Sequence, residues 1–116
     1  GNCVVFVAGE RHSNIVLELV SVMETSDIPG GVINIIAGEV KELAPHLAGH
    51  GEVGSVWAWA NKDVIKEVET LSAENLKRTW CHENNDRNWM KTQECEGLEF
   101  IRQATQVKNI WTPYGD

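Results

Sequence analysis

The sequence is poor in several features that would place a protein in a membrane, outside the cell or on a nucleic acid. Its 116 residues carry 10 Lys and Arg against 17 Asp and Glu, a formal net charge of -7 at pH 7. Nucleic acids and anionic membranes attract basic surfaces, so the acidic balance argues against both as partners. No apolar run approaches the roughly 18 residues of a membrane span, and no signal-peptide pattern is present. We therefore expect no nucleic-acid partner and no membrane partner.

Cysteine is equally scarce. Cys3, Cys81 and Cys95 are an odd number without the spacing of a disulfide framework, which predicts a reduced, cytoplasmic protein. They also lack the paired spacing of a zinc site, so we predict no metal site. Cys81 and His82 are adjacent, but a nucleophile and its base need a third group that orients them, and none is evident. We predict no catalytic residue in this chain.

One stretch organises the rest of the sequence. Pro29, Gly30 and Gly31 end a helix, because proline cannot continue it and glycine can adopt positive φ. Residues 32–36 are a mostly β-branched run without alternation, which is typical of a strand covered on both faces. Gly38 then allows a tight turn or a close approach of the backbone. Together these residues predict half of a βαβ unit.

The other segments continue this alternation of strand and helix. Strands are predicted at residues 3–7, 32–36, 55–60 and 76–81, and helices with apolar stripes begin near residues 13, 40 and 62. Ser13 and Asn61 are predicted as N-caps, and Pro45 should kink or restart the middle helix. The order β-α-β-α-β-α-β predicts an α/β, Rossmann-like three-layer fold with a mostly parallel sheet.

The composition changes near residue 82. The next fifteen residues are mostly polar, with Trp89 as their one large anchor, which predicts a linker or loop. A C-terminal α-β extension follows, with a helix near residues 98–104 and a last strand at residues 107–111. The predicted organisation is a Rossmann-like domain at residues 1–81, a polar linker at residues 82–96 and a C-terminal helix and strand at residues 97–116.

Four stretches resemble the aldehyde dehydrogenase superfamily. Residues 1–5 are similar to the family strand Gly-Asn-x-Val-Val, and residues 27–38 to the family motif Pro-x-Gly-Val-x-Asn-x-Val-x-Gly. Residues 75–78 resemble the segment before the family's Glu-Leu-Gly-Gly, and residues 97–111 resemble its C-terminal strand for subunit contact. The nearest likeness is to the non-catalytic C-terminal half of the two-module, family-16 type of aldehyde dehydrogenase.

The resemblance implies a dinucleotide site that is only partly kept. Family members hold the adenosine ribose with Lys-Pro-x-Glu, of which this chain keeps the acid, Glu10, and a carboxylate can accept two ribose hydroxyl hydrogen bonds. The Gly-Ser pair that opens a helix toward the pyrophosphate falls on Ala60 and Asn61. The glycine-spaced turn that begins at Gly38 has Leu43 in place of its second glycine. Glu10, Gly38 and Asn61 are thus the implied cofactor-binding residues, for NAD or NADP if binding is retained, and no other cofactor is expected.

The resemblance also implies that the catalytic parts are missing. The domain that carries the family's nucleophilic cysteine is not in this sequence, and the position of the general-base glutamate falls on His82, or on Glu83 after a shift of one residue. We therefore expect a non-catalytic aldehyde dehydrogenase-like module, a pseudo-enzyme or fragment, with a structural and oligomerisation role. Its partners would be copies of itself or the rest of an aldehyde dehydrogenase-type polypeptide. The alternative is a residual NAD(P)-binding module of an aldehyde oxidoreductase.

Overall fold

The computed structural model describes residues 2–84 and 86–114. Gly1 of the first motif and Gly115 beyond the last predicted strand lie outside the described residues. Strands and helices alternate along the chain: β1 (Val4–Gly9), α1 (Ser13–Glu24), β2 (Ile33–Gly38), α2 (Val40–Gly49), β3 (Ser55–Ala60), α3 (Lys62–Ser72), β4 (Arg78–Glu83), α4 (Thr92–Cys95) and α5 (Leu98–Ala104). This order confirms the predicted α/β, Rossmann-like class.

The four strands form two parallel pairs. In the first pair β1 runs alongside β2, with Val4 opposite Ile33 and Gly9 opposite Gly38. In the second pair β3 runs alongside β4, with Ala60 opposite Glu83. Among the described residues no backbone ladder joins the two pairs. The single sheet expected from the sequence is therefore present as two short parallel sheets.

The turn before β2 is held by backbone geometry and by one amide side chain. Gly31 has φ +82 and open space where a Cβ would lie, so its backbone conformation alone requires glycine. Asn34 Nδ2 donates to the Gly31 carbonyl oxygen at 2.9 Å and to the Val4 carbonyl oxygen at 3.4 Å. The thiol of Cys3 also donates to the Gly31 carbonyl oxygen, at 3.0 Å. These contacts fasten the turn to the start of β1.

The hydrophobic core lies between α2, α3 and one face of β3. Ala48, Ala60, Val64 and Val68 are its buried members, and Val68 is completely buried. Small side chains on α2 and β3 let the apolar stripe of α3 approach closely, and this burial is the main stabilising term available to a chain of this size. This core supports the end of β3 and the start of α3.

Two local predictions for helices were wrong. Ser13 was predicted as an N-cap but is the first residue of α1, and its hydroxyl donates to the Glu10 carbonyl oxygen at 3.2 Å. Pro45 was expected to kink or restart the second helix, and the restart does not occur, because α2 runs through Pro45 as one helix. Proline removes a single backbone donor there, and the packing of the α2 stripe against the core outweighs that loss.

Residues 84–116 form a second compact unit. Within it the Arg87 guanidinium lies 5.1 Å from the centroid of the Phe100 ring and forms an ion pair with Glu99 at 2.9 Å. Trp89 and Phe100 have ring centroids 6.3 Å apart. The Arg87 guanidinium also lies 5.9 Å from the centroid of the Trp89 ring, so it attracts both rings within this unit.

The predicted last strand at residues 107–111 is absent, and that prediction was wrong. Residues 105–114 have no regular secondary structure, and Val107, Ile110 and Trp111 are each at least 86% exposed. A strand needs a neighbour that takes up its backbone hydrogen bonds, and the described residues provide none for this segment. Separately, none of the helices described is long and apolar enough to cross a membrane.

Candidate cofactor site

The predicted cofactor residues lie where the strands end. Glu10 follows the last residue of β1 and is exposed, and Gly38 is the last residue of β2. Because Gly9 and Gly38 are partners in the parallel register, Glu10 and Gly38 share one edge of the first sheet. In open α/β folds, ligands bind at the carboxyl ends of parallel strands. Asn61 follows the last residue of β3, in the other sheet.

Gly38 is in close contact with this chain's own α2. A Cβ placed on Gly38 would lie 2.8 Å from Leu43 Cδ1, far inside ordinary van der Waals contact. The Leu43 side chain therefore occupies the space that a glycine would otherwise leave open to a ligand. Leu43, which stands in place of the family's second glycine, therefore covers Gly38, the first glycine of that turn.

Asn61 is the N-cap of α3, as predicted. Its Oδ1 accepts a hydrogen bond from the backbone N–H of Val64 at 3.1 Å. A helix N-terminus binds anions through such free N–H groups, and here the cap already takes one of them. The methyl group of Ala60 belongs to the buried core, so it does not project toward a ligand. The methyl group that Ala60 has in place of the family's glycine is therefore accommodated in the core.

The surface beside the start of α3 is a shallow hollow of about 470 Å³. Two ammonium groups and three carboxylates contribute to its wall, so its charge is slightly acidic. Asp63 stands in the first turn of α3, where it stabilises the helix dipole but repels a phosphate. The lining residues are Lys62, Asp63, Ile65, Lys66, Glu69 and Glu83. Sequence reasoning missed Asp63 and Glu69, although an acid two residues after a predicted N-cap could have been noticed.

The catalytic positions considered from the sequence all lie on β4. His82 stacks on Trp59 with ring centroids 5.9 Å apart, and Glu83 is exposed at the strand end. Cys81 packs against the core from the opposite face of the strand. Burial raises the pKa of the Cys81 thiol, and the nearby Glu69 carboxylate raises it further. A thiol held in its protonated form is a poor nucleophile.

These observations provide a test of whether a dinucleotide fits. The space at Gly38 is filled by Leu43, an N–H of α3 is bound by Asn61, and Asp63 adds negative charge to the first turn of α3. Glu10 remains an exposed carboxylate able to accept hydrogen bonds from a ribose. The residues at these positions thus offer one hydrogen-bond acceptor for a ribose, and they offer little of the cradle of free N–H groups that a pyrophosphate needs. For metals, the described part of the chain contains no group of three potential ligands.

Parallel strand pairs and intervening helices define a Rossmann-like α/β domain. A model of the aldehyde dehydrogenase family matches residues 1–83. The matched segment covers most of the chain and contains all four strands, and the chain belongs to this family. The resemblance deduced from the sequence is confirmed.

Part of the chain is also similar to two curated proteins of another name. The ribosomal protein L11 methyltransferases of Aeromonas hydrophila subsp. hydrophila and Aeromonas salmonicida are each 37% identical to it over 59 residues. The similarity covers 43% of this chain and 20% of each methyltransferase, so the chain spans about a fifth of the length of these relatives. No solved structure matches the chain significantly.

Proposed function

We propose that this chain is a non-catalytic module of an aldehyde dehydrogenase-type protein, with a structural role in packing and subunit assembly. The observation that carries the proposal is the contact between Leu43 and Gly38, where the chain's own side chain fills the space a dinucleotide would need. Ala60, Val64 and Val68 are at the same time buried in the hydrophobic core. A buried core, together with a candidate ligand position that Leu43 occupies, supports a structural role.

The chemistry of the available side chains supports the same proposal. Acyl transfer to a thiol requires a thiolate, and the raised pKa of Cys81 keeps that group protonated near neutral pH. Glu83, the shifted position of the family's general base, follows Cys81 on the same strand but lies exposed on the edge of an open hollow. No nucleophile, base and oxyanion donor converge in the described residues.

Dinucleotide titration tests the non-catalytic part of this proposal. A ligand present at a hundred times its Kd stabilises the folded state by about 2.7 kcal/mol, which raises the melting temperature by several degrees. We expect millimolar NAD or NADP to leave the melting temperature and the tryptophan fluorescence unchanged, and aldehyde turnover to be absent. Saturable stabilisation by either dinucleotide would instead establish the alternative, a residual NAD(P)-binding module.

A matched pair of variants isolates the contribution of Leu43. Leu43→Ala opens the space at Gly38, whereas Leu47→Ala removes a similarly half-buried leucine from the same helix. If Leu43 is what excludes the pyrophosphate, binding should be detectable only in Leu43→Ala. If the two variants bind the dinucleotide equally, or neither binds it, the Leu43 side chain is not what excludes the pyrophosphate.

Light scattering tests the assembly role. The chain's mass is 12.9 kDa, and we expect the full chain to associate at micromolar concentration. The same measurement on a chain without residues 107–116 asks whether that exposed segment contributes. A monomer in both cases, at every concentration, would end the proposed assembly role.

A further inference from the structure

Leu76 has a backbone conformation that is unfavourable for leucine. Its φ is 54 and its ψ is 32, in the left-handed region, and within residues 2–84 and 86–114 it is the one non-glycine residue with positive φ. A side chain with a Cβ is disfavoured there, because the Cβ approaches the following carbonyl oxygen. At the end of a helix this position is usually glycine or asparagine. The chain therefore holds strain at Leu76.

The side chain of Leu76 does not compensate for this strain. It is 89% exposed, so it gains little from burial. The local sequence favours a different conformation, because the pattern of residues 76–81 predicts one continuous strand. Strand β4 instead begins at Arg78. The strain must therefore be maintained by contacts that neighbouring residues make.

The residues on either side of Leu76 are both anchored to the loop after α2. Asn75 Nδ2 donates to the Gly51 carbonyl oxygen at 2.8 Å. Lys77 is 9% exposed, and its Nζ donates to the His50 carbonyl oxygen at 2.6 Å. Only Leu76 separates the two anchors, so its backbone has to satisfy both. Strained conformations persist where the surrounding structure over-determines them.

We propose that these contacts form a strained clasp, in which Asn75 and Lys77 hold the loop after α2 and thereby keep Leu76 in the left-handed conformation. The clasp is a two-state element of the fold. When it is closed, the loop is fastened and β4 begins at Arg78. When it opens, the loop is released and Leu76 takes the extended conformation that its sequence favours, which lengthens β4 toward residue 76.

The register of the second sheet has room for the longer strand. Ser55 lies opposite Arg78, so two more residues of β4 would lie opposite residues 53 and 54. The backbone N–H of Arg78 already donates to the Gly54 carbonyl oxygen at 3.2 Å. An extended backbone at Leu76 would thus continue a parallel ladder that already reaches Gly54.

Glycine substitution at position 76 tests the clasp by the sign of its effect. Leu76→Gly removes the strain, because glycine adopts positive φ readily, but it also makes the unfolded chain more flexible. In the original chain the relief of strain should prevail, and the equilibrium constant for unfolding should fall about two- to fivefold. In an Asn75→Ala/Lys77→Met background no strain is left to relieve, and the same substitution should raise that constant about two- to fivefold. Urea denaturation followed by circular dichroism measures each chain.

Ala73→Gly is the matched control. Ala73 is an exposed residue of the same turn with ordinary helical angles, φ -68 and ψ -24, so glycine relieves no strain there. It should raise the equilibrium constant for unfolding about two- to fivefold in both backgrounds. Leu76→Asn is an independent check, because asparagine tolerates the left-handed conformation without the flexibility of glycine. It should stabilise the original chain and leave the double variant without a gain.

Two outcomes of the urea experiment contradict the clasp. If Leu76→Gly destabilises the original chain, Leu76 is not strained. If Leu76→Gly has the same sign and size in both backgrounds, Asn75 and Lys77 do not impose the strain. Should the double variant fail to fold, Asn75→Ala alone serves as the background, and nuclear magnetic resonance follows the Leu76 Cα chemical shift. That shift should move toward the value of an extended residue, and an unchanged shift overturns the proposal.

Discussion

Cys81 shows how one residue's surroundings determine its chemistry. It lies within β4 and packs against the core that α2 and α3 cover. Burial disfavours the thiolate and raises the pKa of the thiol, and the carboxylate of Glu69 adds a smaller effect in the same direction. The adjacency of Cys81 and His82 in sequence suggested a reactive pair, but their side chains point to opposite faces of a strand.

This predicts a shifted pH profile for alkylation of Cys81. In a Cys3→Ser/Cys95→Ser background, the rate with iodoacetamide should rise with pH to a midpoint above the ordinary thiol pKa, because only the thiolate reacts. The same chain unfolded in urea is the control, and its midpoint should be lower. Glu69→Gln should move the native midpoint partway down. Identical native and unfolded profiles would contradict the assigned environment.

Gly38 and Asn61 illustrate what can be anticipated about single residues. The N-cap role of Asn61 was predicted correctly, because it depends on a local hydrogen bond to an N–H three residues later. The contact of Leu43 with Gly38 could be suspected from the missing glycine but required the packing of α2 to be established. Whether Glu10, Gly38 and Asn61 bind a cofactor stays a prediction until the titration is done.

At the scale of elements, the segment before β4 fastens the end of α2. Lys77 is 9% exposed, and its Nζ donates to the His50 carbonyl oxygen at 2.6 Å. Asn75 Nδ2 donates to the Gly51 carbonyl oxygen at 2.8 Å. A cation at the C-terminal end of a helix satisfies free carbonyl groups and interacts favourably with the dipole. Residues 75–78 are one of the stretches that resemble the family. Two of these residues, Asn75 and Lys77, have a structural role, because they bind carbonyl groups at and after the end of α2.

We expect Lys77→Met to lower the free energy of unfolding by about 1–3 kcal/mol, because the His50 carbonyl at the end of α2 loses a charged, part-buried donor. Urea denaturation followed by circular dichroism measures the change. Lys66→Met is the control, since Lys66 is an exposed lysine on α3, and it should change stability by less than about 0.5 kcal/mol. Equal effects of the two substitutions would show that the Lys77 contacts contribute nothing specific.

The sequence predicted helices and strands well where the local hydrophobic pattern is enough to define them. It predicted them poorly where the element also needs a neighbouring strand or helix to pack against. The helix at residues 98–104 and the strand at residues 55–60 match α5 and β3. The last predicted strand is missing because the apolar residues that suggested it have no strand beside them. Strand β4 begins two residues later than predicted, since Leu76 adopts φ 54 and belongs to the preceding turn. Such shifts follow from tertiary contacts that a local pattern does not contain.

At the scale of the whole molecule, the chain divides into units of residues 1–83 and residues 84–116. The core residues Ala48, Ala60, Val64 and Val68 all belong to the first unit, and the family match covers the same residues. The first unit thus contains both the residues that match the family and the core cluster of Ala48, Ala60, Val64 and Val68.

We expect residues 1–83 to fold without the second unit. The core that stabilises them is contained within the segment, and small two-state domains unfold in one cooperative transition. Urea denaturation of residues 1–83 should therefore give a sigmoidal curve, with a smaller dependence on urea than that of the full chain because less surface is exposed on unfolding. A gradual change without a transition would show that residues 84–116 are required for folding.

The sequence by itself determined the α/β class, the family, the order of the four strands and the cap of α3. These depend on short-range patterns, namely hydrophobic period, turn glycines and local hydrogen bonds. Only the tertiary structure decided that the strands form two separate pairs and that Leu43 closes the space at Gly38. The same holds for the exposure of Ile15, Leu19 and Val22 on helix α1. Each of these depends on which elements approach one another, and a periodic pattern shows which residues are apolar but not which of them find a partner.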